Sequence, residues 1–135
     1  MKPCANPDVG QPKALPTQLS LLLVEDDPGW QHGIQSILAT CDGVRLIGTA
    51  DSFDAAMALF HQQRPDVVLL DWKIQGERDG MAVGKAMMAE GLAPEQIILI
   101  SGSPATSIPA HPYLYVPKNR LADELSSLLA TLRTL

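Results

Sequence analysis

The chain has 135 residues, a net charge of −5 at pH 7 and a hydrophobic content of 46%. This length fits one domain with a sizeable core, and the composition excludes a disordered chain. The acidic balance argues against direct nucleic-acid binding, and no apolar run approaches the roughly 20 residues that a membrane helix needs.

The first predicted elements form a strand–helix–strand unit behind a flexible leader. Residues 1–18 are rich in proline and poor in large apolar residues, so we expect them to be flexible. Leu19–Val24 is a continuous apolar run, which is typical of a parallel strand buried on both faces. A helical period follows Pro28, a residue that the first turn of a helix tolerates. Val44–Ala50 predicts the second strand.

The later elements continue the alternation of strands and helices. Asp51 or Ser52 can cap a second helix, which Pro65 ends. The further predicted elements are a third strand over residues 67–70 ending at Asp71, a helix over about residues 80–90, a fourth strand over residues 97–100 ending at Ser101, a short fifth strand over residues 113–116 and a closing helix over residues 121–135. The alternation predicts a flavodoxin-like, doubly wound α/β fold with a parallel sheet of order 2-1-3-4-5.

Polar side chains follow the predicted strands at the points where the strands end. They are Glu25, Asp26 and Asp27 after strand one, Asp71 after strand three, Ser101 after strand four and Lys118 after strand five. Ligands of doubly wound sheets bind beyond the carboxyl ends of the strands, where the strand order reverses. We therefore expect carboxylates, one hydroxyl and one ammonium group to share a small patch.

This combination of groups suits phosphoryl transfer to a carboxylate. Carboxylates that lie close together repel one another, so they need a cation or raised pKa values. Mg²⁺ or Mn²⁺ suits oxygen ligands, whereas the scattered histidines argue against zinc. A carboxylate nucleophile, a hydroxyl and an ammonium group are then available in Asp71, Ser101 and Lys118.

Four segments carry a resemblance to a known family. Residues 22–28, 65–71, 98–102 and 115–118 resemble, in order and at plausible spacing, the receiver domains of two-component response regulators. The resemblance covers residues 19–135, which it implies are one receiver domain. It implies a phosphoacceptor domain that is phosphorylated with Mg²⁺ and then changes its interaction surface.

The resemblance also implies the metal ligands. Asp71 would be the phosphoacceptor and a ligand, Asp26 would bind the metal directly, and Glu25 would bind it through water. The backbone carbonyl of Lys73 would complete the protein ligands. Asp27 is a further acidic candidate, and the sequence leaves open which two of the three consecutive acids lie closest to the metal, although the first two directly follow the strand.

Three more residues receive roles from the resemblance. Ser101 would be the switch hydroxyl, which moves toward the phosphoryl group, and Lys118 would pair with that group. Tyr115 would be the aromatic switch that moves inward with Ser101, although a core tyrosine explains its position equally well. No enzymatic activity is expected beyond self-phosphorylation and autodephosphorylation on Asp71.

The resemblance implies partners as well. The phosphoryl group would come from a histidine kinase or a phosphotransfer protein. The phosphorylated domain would act on a downstream protein, or on an output domain that this chain lacks. We expect a cytoplasmic protein without membrane or direct nucleic-acid contact. A homodimer stays open, and the sequence does not choose between a single-domain regulator and a piece of a longer protein.

Two departures from the family lie near the C-terminal half of the site. The stretch between Ser101 and Tyr115 is short, and Pro109 and Pro112 would break a helix, so we expect the family's fourth helix to be short or irregular. Proline precedes Lys118 instead of following it. We therefore expect the family's cis peptide bond to be absent or moved.

Two alternative functions compete with a phosphorylated receiver. The departures motivate a pseudo-receiver, which would use the same fold as a constitutive docking module for other proteins. The retained acidic residues, Ser101 and Lys118 argue against it. A phosphohydrolase of the haloacid dehalogenase type would need a second aspartate two residues after the nucleophile, where this chain has Lys73.

Overall fold

A computed structural model describes residues 18–74 and 76–134. Most of the predicted leader, residues 1–17, lies outside the described residues, as do Gln75 and Leu135. Within the described ranges, no helix is both long enough and apolar enough to cross a membrane. The strands are β1 Leu19–Val24, β2 Val44–Ala50, β3 Val67–Asp71, β4 Ile97–Ser101 and β5 Leu114–Pro117, and the α-helices are α1 Pro28–Ala39, α2 Phe53–Gln63, α3 Gly80–Ala89 and α4 Leu121–Arg133.

The strands form one sheet in the order β2-β1-β3-β4-β5, and all of their pairings are parallel. This is the predicted doubly wound arrangement, which is confirmed. The chain passes from β1 outward to β2 and then returns to β3 on the other side of β1. The strand order therefore reverses between β1 and β3, where Val24 pairs with Leu70. The next residues of these two strands, Glu25 and Asp71, open the crevice in which such folds bind ligands.

Both faces of the sheet are covered, which explains the continuous apolar sequence of its central strands. Leu22 of β1 packs in a buried cluster with Phe60 of α2. Leu23, the next residue, packs in a second buried cluster with Ile34 of α1 and Leu125 of α4. Successive side chains of a strand point to opposite faces, so every position of β1 except Ser20 is buried. This rigid sheet fixes the positions of the residues that follow each strand.

Side-chain caps set the beginnings of three helices. Asp27, Ser52 and Asp79 each accept a hydrogen bond from a backbone N–H in the first turn of α1, α2 and α3. Of the two predicted caps for α2, Ser52 is confirmed, and Asp51 does not take this role. The helix ends at Arg64, whose φ of 46° places it in the left-handed region.

The link between β4 and β5 has no α-helix in the described structure. One 3₁₀ turn, Ala105–Ser107, stands in its place, so the expectation of a short or irregular helix is confirmed. The predicted fifth strand was one residue too early, because Tyr113 is buried beside Gly84 of α3 and does not pair in the sheet. No described peptide bond is cis, and the strand runs through Pro117.

Candidate functional site

Three carboxylates meet at the carboxyl edge of the sheet. Glu25 and Asp26 follow β1 directly, and Asp71 is the last residue of β3. One oxygen of each side chain lies within 4.8 Å of the others. Glu25 is fully buried and Asp71 is only 5% exposed, whereas Asp26 is half-buried. The neighbouring positions of β1 and β3 thus bring these acidic side chains together, as the sequence led us to expect.

Lys118 supplies the ammonium group of the site. It follows β5, and its Nζ lies 3.1 Å from Asp71 Oδ2, to which it donates a hydrogen bond. The same Nζ lies 2.8 Å from Glu25 Oε1. That second approach is poorly aligned for a hydrogen bond, so Oε1 accepts none from the described residues and the contact is ionic. The ammonium therefore bridges the acidic residues of two strands from a buried position.

The charges of this cluster do not balance. Burial raises the pKa of Glu25 to about 7, although Lys118 and the backbone N–H of Asp27 favour its charged form, and the nearby Asp71 raises the pKa further. Burial alone would lower the pKa of Lys118, but its contact with Glu25 and the charge of Asp71 outweigh that effect and raise it. One ammonium facing three carboxylates leaves an excess of negative charge that a cation would offset.

The donor atoms fit a hard divalent cation. Glu25 Oε1 is buried and accepts no hydrogen bond from the described residues, so a lone pair is free at the centre of the cluster. Carboxylate oxygens are the ligands that Mg²⁺ and Mn²⁺ prefer, and the cluster contains neither imidazole nor thiolate. Lys73 lies beside the cluster, since its backbone N–H donates to Asp71 Oδ1 at 3.2 Å.

Asp27 stands apart from the cluster, although it was a further acidic candidate. Its side chain is exposed and accepts a hydrogen bond from Trp30 N at 2.8 Å, so it caps α1. Its backbone N–H donates to Glu25 Oε2 at 3.1 Å and so helps to orient that side chain. Of the three consecutive acids, the structure groups Glu25 and Asp26 with Asp71.

Ser101 and Tyr115 line an open depression beside Lys118. Ser101 ends β4 and is 3% exposed, and its oxygen accepts a hydrogen bond from Ser103 N at 2.9 Å. The hydroxyl hydrogen of Ser101 is left for another acceptor. The hydroxyl of Tyr115 is buried and has no hydrogen-bond partner among the described residues. Both side chains thus line the same depression as Lys118 and have donor groups that no described contact uses.

Sequence reasoning missed two residues that shape the site. The ring of Trp30 lies over Lys118, with Nζ 4.9 Å from the ring centroid. Gly80 begins α3 against β3, and a Cβ there would collide with the backbone oxygen of Asp71. The sequence did signal Gly80, which follows Asp79 in an Asp-Gly pair, but the need for close backbone contact was not recognised.

Comparison with known proteins identifies the family of this chain. Residues 21–111, more than half of the chain, match the family model described as the response regulator receiver domain. The matched stretch includes Glu25, Asp26, Asp71 and Ser101. It ends before Lys118, in the part of the chain where the irregular link between β4 and β5 departs from the expected pattern.

Individual relatives point the same way. The chain is 33% identical over 86 residues to the probable transcriptional regulatory protein NarL of Mycobacterium tuberculosis, covering 64% of this chain and 39% of that protein. It is 36% identical over 58 residues to the response regulator GacA of Pseudomonas syringae, covering 43% of this chain and 27% of that protein. The solved receiver domain of the Mycobacterium NarL superposes with a TM-score of 0.73 at 25% identity, covering 87% of this chain and 97% of that one.

Proposed function

The chain belongs to the response regulator receiver domain family, and we propose that it takes a phosphoryl group on Asp71 with the help of Mg²⁺ or Mn²⁺. One observation carries the proposal. Oxygens of Glu25, Asp26 and Asp71 converge within 4.8 Å at the strand-order reversal, with the buried Lys118 in contact. Such an arrangement of like charges is costly to fold, and phosphoryl transfer gives it a use.

The transfer needs an unused lone pair on a carboxylate oxygen of Asp71, and each of the two oxygens keeps one beside the single hydrogen bond that it accepts. One of these oxygens attacks the phosphorus atom of the donor, an O–P bond forms, and the bond from phosphorus to the donor breaks with its electron pair staying on the leaving group. The backbone N–H of Lys73 and the ammonium of Lys118 hold one oxygen of Asp71 each, which fixes the carboxylate in the crevice. The fixed orientation lowers the entropic cost of reaching the transition state.

We assign the metal to the acidic cluster. Glu25, Asp26 and Asp71 would hold it, together with the carbonyl of Lys73 that the family resemblance adds. A bound divalent cation supplies positive charge that offsets both the carboxylates and the oxygens of the transferred group. Lys118 supplies further positive charge to those oxygens, and its burial strengthens the interaction.

Ser101 and Tyr115 would form the switch. A phosphoryl group on Asp71 presents acceptor oxygens, and Ser101 has a hydroxyl hydrogen that no described contact uses. Tyr115 buries a hydroxyl without a partner among the described residues, which is unfavourable, so a second ring position that gave the hydroxyl a partner would recover part of that cost. A coupled movement of the two side chains would transmit phosphorylation to the surface around β5.

The partners follow from the family. The donor would be a histidine kinase or a phosphotransfer protein in the cytoplasm, and the target a downstream protein or an output domain of a longer chain. The matched stretches of this chain span 39% of NarL and 27% of GacA. Receiver domains are generally not classical enzymes. No described feature favours a constitutive docking module.

Intact mass spectrometry after incubation with acetyl phosphate and Mg²⁺ tests the proposal. We expect the wild type to gain the mass of one phosphoryl group and Asp71→Asn to gain none. Asp66→Asn is the matched control, because it alters an aspartate at the opposite edge of the sheet and should gain the group normally. A wild type without added mass, or equal gain by Asp71→Asn, would refute the assignment of Asp71.

A further inference from the structure

Trp30 is unusual because it is the large hydrophobic residue that the described structure leaves exposed, at 38%. Its ring belongs to neither of the two buried apolar clusters. It lies instead over Lys118, with Nζ 4.9 Å from the ring centroid, and it lines the same depression as Ser101. Core packing therefore does not account for a tryptophan at this position.

Local contacts fix the first turn of α1 beside the site. Asp27 caps the helix by accepting a hydrogen bond from Trp30 N at 2.8 Å, and Pro28 occupies the first helical position. The side-chain amide of Gln31 donates to Glu25 O at 2.6 Å, which ties the same turn to the end of β1. The backbone that carries the indole ring is thus anchored to the segment after β1 by two hydrogen bonds, one to the Asp27 side chain and one to the backbone of Glu25.

The ammonium of Lys118 has different neighbours on different sides. Glu25 Oε1 lies at 2.8 Å and Asp71 Oδ2 at 3.1 Å, while the indole ring of Trp30 lies over the same nitrogen. The face of an indole ring is electron-rich and attracts a cation, more strongly where water is excluded. The Lys118 side chain is only 8% exposed, so the ring contact is a largely desolvated one.

We propose that Trp30 is a positioning residue whose indole face holds the ammonium of Lys118 beside Asp71 for phosphoryl transfer. This inference rests on the proposed function. In the transfer from acetyl phosphate, a carboxylate oxygen of Asp71 bonds to phosphorus, the bond from phosphorus to the acetyl oxygen breaks, and acetate leaves with the electron pair. Trp30 touches none of these atoms and acts through the lysine.

The ring contact also restrains Lys118 in a way that the two carboxylates do not. A lysine side chain has many rotamers, and holding it in one of them costs entropy. Glu25 accepts no aligned hydrogen bond from Nζ, so the two carboxylates restrain the ammonium incompletely. A flat ring on the solvent side restricts the remaining movement and leaves the ammonium's hydrogens free to face the carboxylates or phosphoryl oxygens.

Two substitutions in the full chain distinguish positioning of Lys118 by the aromatic face from mere shielding of the site by an apolar side chain. Trp30→Leu keeps an apolar side chain without an aromatic face, and Trp30→Phe keeps a smaller face. The first measurement is the NMR shift of the Lys118 ε-methylene protons without phosphodonor. We expect a ring-current upfield shift in the wild type, a smaller one in Trp30→Phe and none in Trp30→Leu.

The second measurement is the initial rate of phosphoryl uptake from acetyl phosphate with Mg²⁺, followed by intact mass. We expect about a three- to tenfold slower rate for Trp30→Leu and an intermediate rate for Trp30→Phe. Arg64→Met is a control, because it removes a cation–π contact on Phe60, at 4.7 Å, on the far side of the domain. Its rate should equal that of the wild type.

The outcomes distinguish this inference from the proposed function. If Trp30→Leu takes up the phosphoryl group at the wild-type rate, the positioning role is refuted. Uptake by the wild type itself would still support the proposed function. A Lys118 shift unchanged by Trp30→Leu would overturn the positioning role whether or not the protein is phosphorylated. A rate lowered equally by both substitutions, without partial rescue by phenylalanine, would also contradict a role for the aromatic face.

Discussion

Polar groups are arranged in opposite ways at the amino edge of the sheet, where the parallel strands begin, and at its carboxyl edge, where they end. At the amino edge, the backbone N–H and hydroxyl of Ser20 donate to Asp66 Oδ2 at 2.9 and 3.0 Å, and Asp66 N donates to Ser20 Oγ at 2.9 Å. The side chain of Gln96 adds bonds to Asp66 O and from Ala93 N. The Asp66 carboxylate thus accepts from neutral donors, and among the described residues it belongs to no acidic group that could hold a metal ion.

The carboxyl edge gathers like charges and leaves polar atoms without partners. Three carboxylates lie together, only Glu25 and Asp71 contact the ammonium of Lys118, and the buried hydroxyl of Tyr115 has no hydrogen-bond partner among the described residues. Residues that only supported the fold would be expected to resemble the amino edge. The contrast supports the proposal that the carboxyl edge serves chemistry at some cost in stability, whereas the amino edge serves stability.

The largest effect is expected from removing the ammonium. Lys118→Met leaves Glu25 and Asp71 without their positive partner, and breaking a buried pair costs about 3–5 kcal/mol of unfolding free energy. The rate of phosphoryl uptake should fall by about 10²–10³-fold. Urea unfolding and intact-mass kinetics check both effects, with the exposed Lys85→Met as control. Equal stability of the two variants would contradict a buried ion pair.

The pH dependence of stability should sharpen the contrast between the edges. The pKa of Glu25 is about 7 in the folded protein and about 4.5 in the unfolded chain, so the folded state binds more protons than the unfolded state between these pH values. Stability therefore falls as the pH rises from about 4.5 to 7, by about 2–3 kcal/mol without metal. The raised pKa of Lys118 affects stability only in the alkaline range.

Urea unfolding at several pH values with a chelator present measures this fall. Glu25→Gln should flatten the profile over the same range, because the amide does not titrate. Asp66→Asn should keep the wild-type slope. A wild-type profile that rises over this range would show that Glu25 is charged in the folded protein without metal.

A smaller loss is expected from the amino edge, without any loss of phosphorylation. Asp66→Ala removes the acceptor of two hydrogen bonds from Ser20 and should cost about 1–3 kcal/mol of unfolding free energy. Phosphoryl uptake from acetyl phosphate should equal that of the wild type. A large fall in uptake at conditions where the variant is fully folded would mean that the two edges are not independent.

The smallest effect should come from Tyr115→Phe. This change removes a hydroxyl that is buried and lacks a described partner, so the unfolding free energy should stay within about 1 kcal/mol of the wild type or rise slightly. Thermal unfolding without phosphodonor is the measurement. A loss well above that value would reveal a hydrogen bond to the hydroxyl and remove one support for its role as a switch.

The fold could be predicted from the sequence because its strands and helices have simple hydrophobic patterns. Central strands buried on both faces are continuous apolar runs, and the helices between them have a clear period, so the bounds of β1 and β2 are confirmed. The edge strand β5 is only partly buried, and its start was wrong by one residue because the burial of Tyr113 against α3 depends on tertiary packing.

The candidate site was predictable in part for the same reason. Strand ends fix the positions of Glu25 and Asp71, so their proximity follows from strand order. The diversion of Asp27 to a helix cap and the contact of Trp30 with Lys118 depend on side-chain rotamers. No periodicity or motif in the sequence encodes these side-chain contacts, which only the three-dimensional structure reveals.

Mn²⁺ titration followed by paramagnetic broadening of the amide NMR signals tests the central contrast most directly. We expect broadening centred on the amides of Asp26, Asp71 and Lys73, reversal by excess Mg²⁺, and sharp signals for Ser20 and Asp66 at the other edge. Asp26→Asn should weaken the effect. Broadening spread evenly over the surface, or centred away from the ends of β1 and β3, would contradict a metal site at the carboxyl edge.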